Sequence, residues 1–452
     1  MLLTKDRSFY KSLVTLAIPI ALQNLITFTV TLADNVMIGA LGDAAISGVY
    51  IGSQITVLLQ ILLVGIEGSI LVLSAQYYGK SDLAAIRGIV AIGLRFAFLT
   101  SLSTAVACFL FPRAILSLFA KEEASLALGV GYLRITLFAF VFFALSQGLI
   151  AAMRSVEKPR VGMLASLVSL AVNISFNYIL IFGKLGFSPM GVKGAAIATL
   201  LSRIAEFLFI FIYVCFIDKK LAFSITCITL FDKALTKDFF RYGAPIVAGQ
   251  LVWAINTLAF SAIMGKLRYD GVIAAVSVVG ALNSLAYTVT NSLAGAVGII
   301  TGKTVGSGQL DKLREYAYTV QLIFLILGIL TGGVIFAVRD GFISLYSLSP
   351  AAITVAKKLT NALAITSVGT CYQAACLFGL VKSGGDVAFV LKNDAFFVFL
   401  VVLPAALIAA TLGASPWTVF VCLKSDQLLK CPVAAVKINR FRWMKNLTKS
   451  AE

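Results

Sequence analysis

Apolar runs of about 20 residues recur along the whole of this 452-residue chain, and each is long enough to cross roughly 30 Å of hydrocarbon as a helix. In that solvent every backbone polar group must be satisfied internally, which leaves helices or closed barrels. The alternating segments of roughly ten residues that a barrel strand needs are absent. The breaks between runs place about twelve spans, at 12–38, 45–78, 88–112, 127–153, 161–183, 194–217, 242–265, 271–302, 316–338, 358–381, 388–411 and 415–436. Composition agrees, with 60% hydrophobic and 13% charged residues, against about 25% charged in a soluble domain. The expected fold class is an all-α polytopic membrane protein. The first run follows a charged start, has no small-residue cleavage site and continues through Asp34, so it reads as a span and not a removed leader.

Much chemistry is excluded by what the chain lacks. It has no His, the commonest general base, proton shuttle and metal ligand. Its 7 Cys include no CxxC, and Cys108, Cys215, Cys371, Cys376 and Cys422 lie inside apolar runs, where they read as small apolar filler. Without clustered acids or His there is no catalytic constellation, so an enzyme, a resident metal and a cofactor are not expected.

The net charge of +17 is mainly topology information. The N-terminus, the even-numbered connections and the C-terminal end carry about 25 Lys and Arg, against about 9 on the odd-numbered connections. That excess places both termini in the cytoplasm of a multi-pass protein of the cell (inner) membrane. No soluble basic domain exists to hold nucleic acid; the expected partners are small molecules and membrane lipids, with the chain acting as a monomer.

The longest polar connection, 218–241, divides the chain into 1–217 and 242–452, with six spans in each half. A shift of about 227 residues brings the halves into register. Pro19 meets Pro245; AQYYGKSDLAAIR (75–87) meets GKTVGSGQLDKLR (302–314); GLIAAMRSVEKP (148–159) meets LFGLVKSGGDV (377–387). Because six is even, both copies enter the membrane in the same direction. Two lobes related by a pseudo-two-fold axis along the membrane normal follow, an arrangement used by transporters that bind at the midplane.

A charge near the centre of a span costs about 2.5–3.5 kcal/mol on insertion scales. Asp34 lies about 10 Å from the outer end of the first span, with no Lys or Arg three or four residues away. It reads as a cation or proton site, or as a carboxylate paired with an arginine on another helix. Glu67, between Gly65 and Gly68, is either a second protonatable group or a partner for Arg95 or Arg134. Arg203 and Glu206 can meet on one helix face as a self-neutralised pair, and Arg95 and Arg134 can snorkel. Asn173 and Asn177, one turn apart, suit a hard monovalent cation or helix–helix hydrogen bonding equally. In the second half, spans seven, eight and ten carry Gln250, Trp253, Asn256, Asn283, Tyr287, Asn291, Tyr372 and Gln373 with no acid well inside. That makes an amide-and-aromatic wall suited to apolar or cationic aromatic ligands. Asp394 and Lys392 are expected near enough to the cytoplasm to be solvated.

Five segments resemble the MATE (multidrug and toxic compound extrusion) family: LADNVMIGALG (32–42), GYLRITLFAFVFFALSQGLIAAMRSVEKP (131–159), NISFNYILIFGKLGFSPMGVKGAAIATLLSR (173–203), LVKSGGDVAFVLKNDAFFVFLVVLP (380–404) and FRWMKNL (441–447). The resemblance implies that Asp34 stands where the family has its first-span coupling acid, with Asn173, Asn177 and Thr199 joining it in a cation site. Some members have Asp where Asn177 stands, and some branches carry acids in spans seven and ten where this chain has Gln250 and Tyr372–Gln373. Glu67 matches no family position. The implied function is efflux of amphipathic organic cations by antiport with H⁺ or Na⁺, with two lobes rocking in alternating access. A lipid-linked oligosaccharide flippase of similar build is the alternative, since Arg95, Arg134 and Arg203 could meet an anionic diphosphate cargo.

Overall fold

The computed structural model describes residues 3–119, 122–229, 232–267, 269–346 and 348–448. Among them the ordered elements are helices, with no strand. In chain order these are α1 (Arg7–Gly39), α2 (Asp43–Gly79), α3 (Leu83–Leu110), α4 (Pro112–Leu116), α5 (Glu123–Ser155), α6 (Pro159–Phe182), α7 (Val192–Ile212), α8 (Lys233–Lys266), α9 (Val272–Gly306), α10 (Leu310–Ser344), α11 (Pro350–Gln373), α12 (Val387–Phe396), α13 (Leu403–Thr411), α14 (Pro416–Lys424) and α15 (Asp426–Asn439). Wider, π-helical turns extend α7 over Tyr213–Ile217 and α11 over Ala374–Lys382, and join α12 to α13 over Phe397–Val402. Among the described residues, eleven helical segments are long and apolar enough to cross a membrane. The twelfth expected span, 415–436, is divided between α14 and α15 at Ser425. The chain is a multi-pass helical membrane protein.

Two compact units can be distinguished, Ile18–Val247 and Met1–Ala17 with Ala248–Glu452. The divisions fall inside α1 and α8, not in the polar connection. That connection packs on the first unit: Arg87 Nε donates to the Leu221 carbonyl at 2.7 Å, Arg95 Nε to Ile228 at 2.8 Å, and Lys220 Nζ to Val156 at 2.7 Å. Small residues let the helices of this unit approach closely, as they must where lipid offers no hydrophobic drive for association. A Cβ on Gly48 or Gly52 of α2 would come within 3 Å of Leu128 or Tyr132 on α5, and one on Gly194 of α7 would meet the Leu180 backbone of α6 at 2.7 Å. Bulky apolar side chains such as Phe138, Ile329 and Leu400 face outward, as lipid permits.

In the other unit the stretches around Thr4–Phe9 and Trp443 are both tied down. Thr4 N donates to Thr319 Oγ1 at 2.7 Å, Phe9 stacks on Tyr316, and Trp443 is fully buried with its Nε1 donating to Ile438 O at 2.9 Å. Asp386 accepts from Lys437 at 2.6 Å and Lys445 at 2.8 Å. Asp6, just before α1, is held down to about 2 by its hydrogen bonds to Ser8 and Tyr316. A carboxyl lowered on folding stabilises the fold above its unfolded value of 3.8, and the gain is lost as pH falls through about 2. The melting-temperature advantage of the parent over Asp6→Asn should therefore be constant at neutral pH and shrink below about pH 4; because Asp6 is largely solvated, it should be small.

The repeat is visible in the backbone. Left-handed residues occur at matched positions about 228 residues apart: Gly42 and Gly271, Ser81 and Gly308, Glu157 and Gly385, Leu185 and Gly413. Pro19 and Pro245 likewise both lie inside long helices, α1 and α8.

Candidate functional site

The site is built on α1, α5, α6 and α7 of the unit Ile18–Val247. Along α1, Thr27, Thr29 and Thr31 return their hydroxyls to carbonyls one turn back, leaving Asp34 as the charged group of the stretch. α6 starts with Pro159 in its first turn and stops at Gly183, left-handed and in contact with Pro189. This frame, with Gly194 against Leu180, fixes the heights of Asn173 and Asn177 relative to α7. Both asparagines are 0% exposed. Asn177 Nδ2 donates to Asp34 Oδ1 at 2.5 Å and to Asn173 Oδ1 at 3.1 Å. Asn177 Oδ1 and Asn173 Nδ2 are buried without a hydrogen-bond partner among the described residues.

Thr199 joins this group indirectly. Its hydroxyl donates to Ala195 O at 3.0 Å and is hydrogen-bonded by the buried Tyr132 of α5. Sequence reasoning missed Tyr132, because one aromatic on an apolar face looks like core; it lies three residues beyond Gly129, where α5 meets Gly48 and Gly52 of α2. Arg203 lies within charge-interaction range of Asp34, yet its guanidinium pairs with Glu206 at 2.7 Å and lies 4.6 Å from the Phe143 ring centre. The expected Arg203–Glu206 pair is present. No ion pair to Asp34 occurs among the described residues.

Glu67 is placed differently from expectation. The charge acting on it is Arg154, whereas Arg95 is bound to the 218–229 segment and Arg134 is exposed. Arg154 donates through Nη2 to Gln23 Oε1 at 2.8 Å, while its Nε is buried unpaired. The helix-end position of Arg154 hid this in the sequence, since an arginine there ordinarily reaches water.

The amide-and-aromatic residues of the other unit are only partly brought together. Asn283 and Tyr287 line a small cavity of about 10 Å³, roughly the room one water needs, with Thr290, Thr331, Thr370 and Cys371. Trp253 stacks on Tyr287 at 6.5 Å, and Asn291 hydrogen-bonds it. Tyr372 instead donates to Gln321 at 2.8 Å, and Gln373 to Gln427. Neither Gln250 nor Asn256 is among the cavity-lining residues. Asp394, expected in solvent, has a side chain only 17% exposed and pairs with Lys430, because α15 packs against α11 and the π-helical turns that follow α11 and α12; Lys392 is exposed as expected.

Chemically, the first group is a lone carboxylate with neutral oxygen and amide neighbours, suited to reversible uptake of a proton or a hard monovalent cation. Tyr132→Phe deletes one neutral hydrogen bond, worth about 0.5–1.5 kcal/mol. It should weaken the apparent ion affinity several-fold without abolishing transport, read from the pH and Na⁺ dependence of dye efflux.

The chain's relatives are transport proteins. Residues 19–179 and 245–408 match the MatE family. The chain is 24% identical over 417 residues to the multidrug resistance protein NorM of Photobacterium profundum, covering 90% of this chain and 89% of that one. It is 24% identical over 311 residues to the probable multidrug resistance protein YoeA of Bacillus subtilis, covering 68% and 67%. Its fold matches a mutant of the Vibrio cholerae MATE transporter VcmN with a TM-score of 0.87 at 15% identity, over 97% of this chain and 98% of that one. It also matches a MOP superfamily transporter from Pyrococcus furiosus with a TM-score of 0.85 at 18% identity, over 97% and 99%. Two matched segments, one in each half, cover well over half the residues: this chain belongs to the MatE family of multidrug efflux transporters.

Proposed function

We propose that the protein exports amphipathic organic cations from the cytoplasm, in which both its termini lie, by antiport with H⁺ or Na⁺ through alternating access. The observation that carries this reading is Asp34, a carboxylate held by an asparagine amide and by no cationic side chain among the described residues. Loading Asp34 with a proton or Na⁺ cancels its charge, and a ligand shifts a conformational equilibrium only through unequal affinity for the two states. Asn177 Oδ1, an acceptor without a donor beside the carboxylate, offers a cation an oxygen it otherwise lacks. Asn173 supports Asn177, and Thr199 and Tyr132 supply hydroxyls at the rim. Glu67, with Arg154 as its counter-charge, is a candidate second protonatable group. Trp253 and Tyr287 give a stacked aromatic pair suited to a flat cation.

The flippase alternative asks for free arginines. Arg95 and Arg203 are engaged by a backbone carbonyl and by Glu206, which favours a cationic cargo. Transport of ethidium into sealed vesicles, under proton and sodium gradients imposed separately, tests the reading. Uptake driven by one of them is expected; uptake driven by neither overturns antiport.

A further inference from the structure

The second unit contains a charge cluster that the sites above do not use. Lys430 of α15 bridges two carboxylates, Asp426 one turn back on its own helix and Asp394 on α12, each at 2.9 Å. The side chains of Lys430 and Asp426 are 6% and 4% exposed. The neighbouring Asn393, itself buried, has an amide nitrogen with no partner among the described residues.

Three irregularities in the helices converge here. The last span breaks at Ser425, immediately before Asp426. α11 widens into π-helical turns directly after Gln373, and α12 does so three residues after Asp394. Interrupted transmembrane helices and π-helical turns are favoured at ion and substrate sites, because they free backbone groups and re-aim side chains.

The cluster is also wired to the hydroxyl-lined cavity. Gln427 Nε2 donates to Asp426 Oδ1 at 3.1 Å, while its Oε1 accepts from Gln373 and, at 3.1 Å, from the cavity-lining Thr370. Tyr287, another residue that lines the cavity, lies within charge-interaction range of both Asp394 and Lys430. A glutamine with all three bonds made has its amide orientation fixed, so a change at Asp426 is felt at Thr370.

We propose that Asp394, Lys430 and Asp426 form a second proton-exchange site, separate from Asp34, whose occupancy is transmitted to the cavity through Gln427. With the ammonium between two carboxylates the trio carries one net negative charge. A proton arriving as hydronium forms an O–H bond on one carboxylate, leaves water behind and brings the trio to zero, with Lys430 still bonded to the other carboxylate. Other ionisable groups facing the trio are Lys382 at the end of the π-helical turns, Lys424 of α14, Tyr287 of α9 and Cys431 of α15. The two lysines favour the ionised carboxylates and so allow the proton to leave again. The proposal builds on the antiport reading for its role in transport, but the binding itself is measured without any cargo.

Infrared pH titration of the full-length protein in detergent reads carboxyl protonation directly, since a protonated carboxyl out of water absorbs at higher frequency than a solvated one. The Asp34→Asn/Glu67→Gln protein is expected to keep a titrating component of this kind, which Asp394→Asn or Asp426→Asn then removes. Lys430→Gln takes away the ammonium and should move that component to higher pH by about one unit or more; a shift of this sort cannot come from misfolding. A component unaffected by all three substitutions in that background, or none left once Asp34 and Glu67 are both replaced, overturns the proposal. Ethidium transport that fails under either gradient while this component behaves as expected would remove the antiport reading and leave the proton site standing.

Discussion

An Asp34→Asn chain should reach the membrane folded and show no gradient-driven efflux. The substitution is nearly isosteric, and the carboxamide oxygen can still accept from Asn177 Nδ2, the bond that Asp34 Oδ1 receives at 2.5 Å. What it removes is the only charge of that group. A residue that is neutral at every pH binds no proton and has little electrostatic attraction for Na⁺, so the coupling ion no longer distinguishes the two conformations. Gradient-driven ethidium transport should fall at least about tenfold, towards that of protein-free vesicles, with the melting temperature almost unchanged. Retained transport would show that the driving ion binds elsewhere. Loss of both transport and folding would mean that the carboxylate is structural, and size-exclusion chromatography beside the assay separates these outcomes.

The largest stability loss should come from the smallest addition. A Cβ on Gly369 of α11 would lie 2.0 Å from the carbonyl oxygen of Gln427 on α15. Neither atom belongs to a flexible side chain, so one helix must move from the other. Gly369→Ala should cost about 3 kcal/mol, at the upper end of overpacking penalties, and should also disturb Gln427 and its bonds to Thr370, Gln373 and Asp426. Gly295 of α9 is the control, because its added Cβ would meet nothing within 4 Å. There Ala should be neutral or stabilising by about 0.5–1 kcal/mol, as expected inside a helix. Similar melting losses for both would show that glycine matters at these sites for backbone freedom and not for helix contact.

What the sequence reveals follows from how long-ranged each cause is. Spans are readable because the apolar runs are set by bilayer thickness, a property of the solvent. The break at Ser425 is not readable, since Ser is tolerated inside membrane helices and the turn there has no Gly or Pro to mark it. Asp34, Asn173 and Asn177 stand out because polar groups are costly in lipid, and α6 alone sets the spacing of the two amides. Tyr132 depends on how α5 meets α7, a matter of packing that no local pattern encodes. Glu67 lies within charge-interaction range of Arg154 and not of Arg95 or Arg134, because which charges approach each other is decided by helix rotation. For Asp394 the signal was present: Lys424, Asp426 and Lys430 all fall in the expected span 415–436, which is too many charges for a plain apolar helix.

The paired left-handed turns carry an evolutionary corollary. At three of the four pairs the earlier copy has Ser81, Glu157 or Leu185, where the later has Gly308, Gly385 or Gly413. An L-residue with a side chain held in that region is disfavoured by about 1–2 kcal/mol relative to glycine. The molecule thus contains its own consensus template, and grafting glycine from one copy into the other at Ser81 is a ready route to a hardier variant that leaves every membrane-embedded polar group untouched.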